Sequence, residues 1–241
     1  MENALEIRDL MKTYPGSFEL KGISFDIPRG TAVGLVGENG AGKSTTISLI
    51  SGMTKADGGS VRVLGEDITS PGFTDVKNRI GTVLDEACLP FGLKAGQLGK
   101  VCSMIYTDWD GEAYRNNLRR FDLPSEKPFK DLSRGMKMKL SLAVALSHGA
   151  ELLILDEATG GLDPMARDEL IGELKDFIFD GKRSILLSSH IVSDIEKLCD
   201  RIVFIHRGRL MFDRSKEELL REGNGSNLEE IVLDMVRREN R

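Results

Sequence analysis

The chain has little of what would staple it, anchor it in a membrane or build a metal centre. It has three cysteines, Cys88, Cys102 and Cys199, far apart and without a C-x-x-C pair. Its three histidines do not cluster with them. This argues against a disulfide framework and a zinc site and points to a reducing compartment. Long apolar runs are also missing. The most apolar stretch, Leu140–Leu155, is broken by Ser147, His148, Gly149 and Glu151 and is too short and polar to span a bilayer. The opening residues, Met-Glu-Asn-Ala-Leu-Glu, lack the apolar core of a signal peptide. Basic charge is not in excess: 33 Lys and Arg stand against 38 Asp and Glu, for a formal net charge of -5. That argues against a general nucleic-acid binder, which needs a phosphate-neutralising surface. No internal repeat or low-complexity segment is visible. Asn224-Gly225-Ser226 fits a glycosylation sequon, but such triplets are common by chance.

The chain has 241 residues, 40% hydrophobic and 29% charged, enough to bury a core as one large domain or two small ones. Alternating apolar residues over Ala4–Leu10 and Phe18–Ile27 predict two β-strands, the second ending at the Pro28-Arg29-Gly30 turn. Thr31–Val36 is a short continuous apolar run, the pattern of a strand buried on both faces. A glycine-rich loop and a helix at Thr46–Ile50 follow. Val61–Leu64, Arg79–Leu84, Leu152–Leu155, Ser184–Ser188 and Arg201–Ile205 read as further strands, and Arg167–Phe179 and Ile191–Leu198 as helices. From Glu86 to about Ala145 aromatics become denser and helical spacing appears, as in Glu112–Phe121, before Pro124 and Pro128 interrupt it. This segment reads as a mainly helical insertion, packed internally by Phe91, Tyr106 and Trp109, with docking of a partner helix as the alternative role of these aromatics. The alternation of strands and helices implies an α/β fold with a mainly parallel sheet. The apolar spacing of Leu228, Ile231, Val232, Met235 and Val236 predicts a helix that packs on its own chain, with a dimer or partner contact as the alternative.

Gly37-Glu38-Asn39-Gly40-Ala41-Gly42-Lys43-Ser44 fits the phosphate-binding P-loop pattern G-x-x-x-x-G-K-[ST]. Glycines let the backbone fold into a nest of inward N–H groups, and the following helix adds its positive end. Gly37, Asn39, Gly40, Ala41, Gly42, Lys43, Ser44 and Thr45 are therefore candidate contacts to a nucleotide's phosphates. Lys43 places a charge on the β- and γ-phosphates, and the Ser44 hydroxyl can ligate Mg²⁺. Leu152-Leu153-Ile154-Leu155 reads as a buried strand whose C-terminal tip carries Asp156 and Glu157. Ligands bind at this end of α/β sheets. Asp156 can hold hydrated Mg²⁺ and Glu157 can orient or deprotonate an attacking water. Alone, two acids after a strand also describe a solvated strand end; beside a P-loop they describe a phosphate-hydrolysing site.

Leu132-Ser133-Arg134-Gly135-Met136 lies ahead of this strand, Gly161-Leu162-Asp163 follows Glu157, and His190 follows the next strand. Over essentially the whole chain this order resembles the ATP-binding subunit of ABC transporters. The resemblance implies one domain over 1–241, with a P-loop core at 1–85 and 147–241, an N-terminal antiparallel β-subdomain, and a helical subdomain at 86–146. It implies that Tyr14 stacks on adenine, although Tyr14 before Pro15-Gly16 also fits a turn. It implies that Ser133 and Gly135 contact the γ-phosphate bound on an opposing subunit, although Ser133 also fits a helix N-cap. Asp163 would communicate across the dimer, and His190 would contact the γ-phosphate. Lys43, Glu157 and His190 are then the catalytic set, and Ser44, Asp156 and Asp85 the metal set. Asp85 stands where the family usually has a glutamine, with Glu86 an equally placed acid. Arg134 and Met136 replace a glycine and a glutamine of the usual signature, and Ala158 a proline.

Tyr106-Thr107-Asp108-Trp109-Asp110 and Leu-Ser-Arg-Gly-Met-Lys-Met-Lys look like bacterial exporters of peptide or antibiotic type. The implied partners are a second copy or a related ATPase subunit, forming a head-to-tail dimer around two ATP molecules, and a separate integral membrane permease. No direct nucleic-acid contact is expected. The implied location is cytoplasmic, peripheral on the inner face of the membrane. The alternative is a soluble ABC ATPase serving a protein or nucleic-acid assembly.

Overall fold

The structure, a computed structural model, describes residues 2–84, 89–90, 92–223 and 227–239, with side chains through Asp234. Period-two alternation builds the first sheet. In β1 (Asn3–Tyr14) and β2 (Phe18–Pro28), residues such as Leu5, Ile7, Ile23, Phe25 and Ile27 are buried. The two strands pair antiparallel, as expected. β1 runs four residues past the predicted end at Leu10. A register shift near Leu10 lets Met11 to Tyr14 continue pairing with β2, so backbone pairing carries the strand where the apolar alternation fades.

β3 (Ala32–Val36) is buried at every position and leads into α1 (Lys43–Ile50). Then come β4 (Gly58–Val63), β5 (Glu66–Asp67), the short helix α2 (Phe73–Lys77) and β6 (Ile80–Val83). The first sheet has the order β2-β1-β4-β5 and is antiparallel throughout. Three helices, α3 (Ala95–Ile105), α4 (Gly111–Arg120) and α5 (Arg134–Ala145), occupy the region expected to be helical. After them come β7 (Leu152–Asp156), α6 (Pro164–Ile178), β8 (Ser184–Ser189), α7 (Val192–Leu198), β9 (Arg201–His206) and β10 (Arg209–Ser215). The chain continues into α8 (Lys216–Glu222) and α9 (Leu228–Glu239). The second sheet has the order β10-β9-β3-β8-β7-β6; all its pairs are parallel except β10 with β9.

Successive residues of the central strands serve opposite cores. Val33, Leu35, Ile154 and Leu186 face the antiparallel sheet and α1, whereas Leu153, Leu155, Ile185 and Leu187 face the helices on the other side. That two-sided burial is why these strands read as continuous apolar runs. Several elements show no signal in the sequence. β10 is half-buried and mixed in composition, and β5 is two residues long, so neither has a period. α6 starts at Pro164 rather than Arg167, because Asp163 caps it and proline suits its first turn. Leu228, Ile231 and Val232 of α9 are buried and α9 packs on α7 and α8, as predicted. Among the described residues no helix is long and apolar enough to cross a membrane. Phe91, Cys88, the sequon at Asn224 and the side chains of Met235 and Val236 lie outside the described residues.

Aromatics pack the helical region. Tyr106 stacks on Trp109 (6.2 Å between centroids) and on His148 (4.1 Å). The Tyr114 hydroxyl donates to the Ala95 carbonyl at 2.8 Å. His148 is 1% exposed, and its Nδ1 lies 2.9 Å from the Asn78 carbonyl oxygen. Burial pushes the imidazole's pKa below its ordinary 6.5. The unfolded chain therefore takes up this proton more readily than the folded one. The resulting stability is complete above pH 6.5 and is lost as pH falls below it. Urea unfolding should show stability declining from pH 7.5 to 5.5. His148→Phe, which keeps a ring on Tyr106, should flatten that decline and cost about 1 kcal/mol at pH 7.5 from the lost bond to Asn78.

Candidate active site

The loop between β3 and α1 is shaped by backbone crowding. A Cβ at Gly37 would lie 2.4 Å from the Ile205 carbonyl oxygen. Gly42 has a φ of 115°, and a Cβ there would come 2.8 Å from Phe18. Only glycine fits either place. The Gly208 amide, in the turn joining β9 to β10, donates to the Ala41 carbonyl at 2.9 Å and pins the loop from outside. The Thr46 hydroxyl donates back to the Gly42 carbonyl at 2.8 Å, at the start of α1. The N-terminus of α1 therefore opens onto the loop with its positive end.

A cavity of about 470 Å³ lies over this loop. Asn39, Gly40, Gly42, Lys43, Ser44 and Thr45 line one side, and Tyr14, Ser17, Phe18, Glu38 and Glu157 line the rest. Tyr14 is 38% exposed at its edge, with the Lys12 ammonium 5.6 Å from the ring centroid.

Lys43 is 5% exposed. Its ammonium donates to the Gly37 carbonyl at 2.7 Å and the Glu38 carbonyl at 3.2 Å, and lies 3.2 Å from Glu157 Oε1. The second Glu157 oxygen, Oε2, lies 2.6 Å from His190 Nδ1. Glu157 thus bridges the buried cation and an exposed imidazole. It sits just past β7 with a left-handed φ of 49°, a conformation that costs energy for a residue with a side chain and that recurs at working sites. Two backbone bonds hold it: its amide donates to the Ser188 carbonyl at 3.1 Å, and its carbonyl accepts from the Gly160 amide at 3.0 Å.

Asp156 closes β7, nearly buried, and accepts a hydrogen bond from the Ser188 hydroxyl at 2.6 Å. Ser188 is not among the residues that sequence reasoning singles out, since the Ser-Ser run reads only as the strand that delivers His190. Its signal is its position two residues before that histidine, on a strand adjacent to β7. Ser44 is exposed at the start of α1. A hydroxyl and a carboxylate are hard oxygen donors of the kind Mg²⁺ takes, but two are too few to hold it. Among the described residues no group of three or more His, Cys, Asp or Glu is placed to bind a metal. The donor set therefore fits an ion that arrives with phosphate oxygens and water. Asp85 and Glu86 lie outside the described residues.

Ser133, Gly135 and Asp163 do not line the cavity. Ser133 is exposed and caps α5, its hydroxyl accepting from the Met136 amide at 3.3 Å. A Cβ on Gly135 would lie 3.6 Å from Leu162, so the start of α5 packs beside the loop that leads to α6. The Arg134 guanidinium lies against Gly161 of the same loop. Asp163 caps α6, accepting from the Met165 and Ala166 amides at 3.0 Å each. Those amides, the Ala166 bond foremost, hold its pKa below the usual carboxylate value.

The ABC transporter family model matches residues 20–160. The chain is 33% identical over 242 residues to the lantibiotic transport ATP-binding protein SrtF of Streptococcus pyogenes, covering 98% of this chain and 99% of that one. It is 32% identical over 237 residues to the linearmycin resistance ATP-binding protein LnrL of Bacillus subtilis, covering 96% of this chain and 76% of the relative. A solved structure of an ATP binding subunit of an ABC transporter superposes with a TM-score of 0.86 at 28% identity, over 97% of this chain and 99% of that one. The family match contains the P-loop and the acidic strand tip, and the alignments with the relatives take in nearly all of this chain, so the chain belongs to the ABC transporter family, as an ATP-binding member that hydrolyses ATP.

Proposed function

We propose that the chain works as a head-to-tail dimer, with itself or a related subunit, and drives a separate membrane permease that exports a peptide or antibiotic-like compound. Glu157, set between Lys43 and His190 at the mouth of the phosphate cradle, carries this reading. In it, the triphosphate takes the Lys43 ammonium away from the loop carbonyls and Glu157. The loop amides, the α1 terminus and Lys43 then balance charge on the β- and γ-phosphates. Glu157, released from the ammonium, accepts a hydrogen bond from water and aligns it with the γ-phosphorus, opposite the leaving ADP oxygen. His190 keeps Glu157 oriented and reaches the γ-phosphate. Mg²⁺ would be held by Ser44, Asp156 and Asp85 and would neutralise phosphate charge; unchanged metal dependence in Asp85→Gln would remove Asp85 from that set.

Ser133 and Gly135 are the reason for a dimer in this reading. They lie outside their own chain's cavity at the start of α5, and in this reading they meet a nucleotide held by another subunit. ATP then favours the closed pair because it touches both chains, and hydrolysis releases it. Asp163, next in the chain to the Leu162 that Gly135 meets, communicates across the dimer in this reading, and Tyr14 stacks on adenine. Export is supported by the relatives, two of which are named for lantibiotic transport and linearmycin resistance. Attachment to the cytoplasmic side of a membrane follows from the permease.

Lys43→Ala should lower ATP turnover about 100-fold or more, because it removes the central cation of the phosphate site. Turnover at the parent rate would overturn the assignment. Glu157→Gln should still bind ATP, hydrolyse it about 100-fold more slowly or worse, and elute as a dimer from a size-exclusion column run in Mg²⁺-ATP. A monomer under saturating ATP would refute the sandwich. Tagged Glu157→Gln captured from detergent-solubilised source cells should bring down one integral membrane protein in stoichiometric yield. Recovery of soluble assembly components alone would replace the transport reading.

A further inference from the structure

Two loops converge on Glu157, and one arginine reaches both. The first runs from Ala158 to Asp163 and ends where α6 begins. The second runs from Ser189 through His190 into α7. Arg167 lies in the first turns of α6, and its Nη2 donates to the Leu162 carbonyl at 3.3 Å, just before Asp163. Its Nε faces Asp194 Oδ2 at 3.8 Å. Asp194 stands four residues after His190, in the first turn of α7. Farther back the same loops touch again, where Thr159 Oγ1 lies 3.5 Å from Ser189 Oγ, both residues fully buried. Ser189 Oγ also accepts the Ile191 amide at 3.0 Å and so fixes the chain on the far side of His190.

The ion pair is built poorly for stability alone. Asp194 is 1% exposed, yet neither its Oδ2 nor Arg167 Nε has a hydrogen-bond partner among the described residues. A buried carboxylate facing a cation at this distance keeps much of its desolvation cost and gains no directed bond. A position in the first turn of α7 offsets part of that cost. The pair is not alone between α6 and α7, since Lys197 and Asp168 join the same helices at the surface at 2.8 Å. A buried carboxylate left without a directed bond beside a part-exposed arginine calls for a role besides stability.

We infer that Arg167 is a positioning residue that, through Asp194, couples the Leu162–Asp163 loop to the His190 segment. Displacement of the first loop, the one beside Gly135 and the start of α5, then shifts His190 relative to Glu157. Closing the 3.8 Å gap to hydrogen-bonding distance takes a movement of under about 1 Å. The pair therefore has a loose arrangement, seen here, and a tight one available to it. This inference rests on the roles of Glu157 and His190 given above.

The test is a double-mutant cycle on the intact chain with Arg167→Met and the near-isosteric Asp194→Asn, following kcat, the KM for ATP and thermal melting. Each single change should lower kcat about tenfold with KM within about twofold, and the double variant should be no slower than the slower single. Lys197→Met, which breaks only the surface pair between the same helices, should turn over at the parent rate. The coupling is overturned if either variant of the pair retains full kcat per folded molecule. It is also overturned if the losses multiply in the double variant, or if Lys197→Met loses as much. Parent turnover that disappears in Lys43→Ala while Arg167→Met stays fully active removes the coupling alone. Parent turnover that survives Lys43→Ala removes the underlying site reading with it.

Discussion

A buried ammonium must have a counter-charge, and much of the site is arranged around that demand. Lys43 is nearly inaccessible at the head of α1, in a loop whose glycines leave no side chain to shield it. Two loop carbonyls and Glu157 supply the balance. Holding Glu157 there requires a left-handed backbone just past β7, secured by backbone bonds to Ser188 and Gly160. The same carboxylate then fixes the His190 ring. A triphosphate is a stronger and larger counter-charge than one carboxylate. In the proposed mechanism its arrival frees Glu157 for water, so one carboxylate serves both as counter-charge to Lys43 and as the group that orients water.

The fold serves this demand by bringing three strand ends together. β3, β8 and β7 are neighbours and parallel, so the P-loop, His190 and the Asp156-Glu157 pair all leave the same edge of one sheet. Burial on both faces locks these strands, and successive residues divide between the two cores. The turn between β9 and β10 then presses onto the loop through the Gly208 amide. Lys43 and His190, far from Glu157 in the chain, thus meet its carboxylate at 3.2 Å and 2.6 Å.

α6 and α7 extend this arrangement outward. Each begins directly after a loop that borders Glu157, and each loop is tied down at its helix: Asp163 caps α6, and Ser189 accepts the Ile191 amide ahead of α7. The pair between Arg167 and Asp194 closes the circuit with an unsatisfied contact, where a tight one would have frozen it. Rigid helices with one loose joint can pass a small displacement to the reacting groups without remodelling the core.

Chemistry carried by contiguous residues is legible in the sequence. The P-loop needs glycines at fixed offsets because its nest is local, and the buried strands declare themselves by apolar runs because both faces are covered. Lys43, Ser44, Asp156 and Glu157 follow from these features, and the resemblance carried by the signature residues adds His190, Ser133, Gly135 and Asp163. Elements without a period, β5 and β10, are not legible, nor is the true start of α6, since pairing, edge position and capping decide them. Tertiary structure alone decides which groups meet. It sets Glu157 against Lys43 and His190, Ser188 on Asp156, and Arg167 between Leu162 and Asp194. Most of those contacts join residues far apart in the chain, and their geometry is set by how strands and helices pack, a property no local stretch of sequence contains.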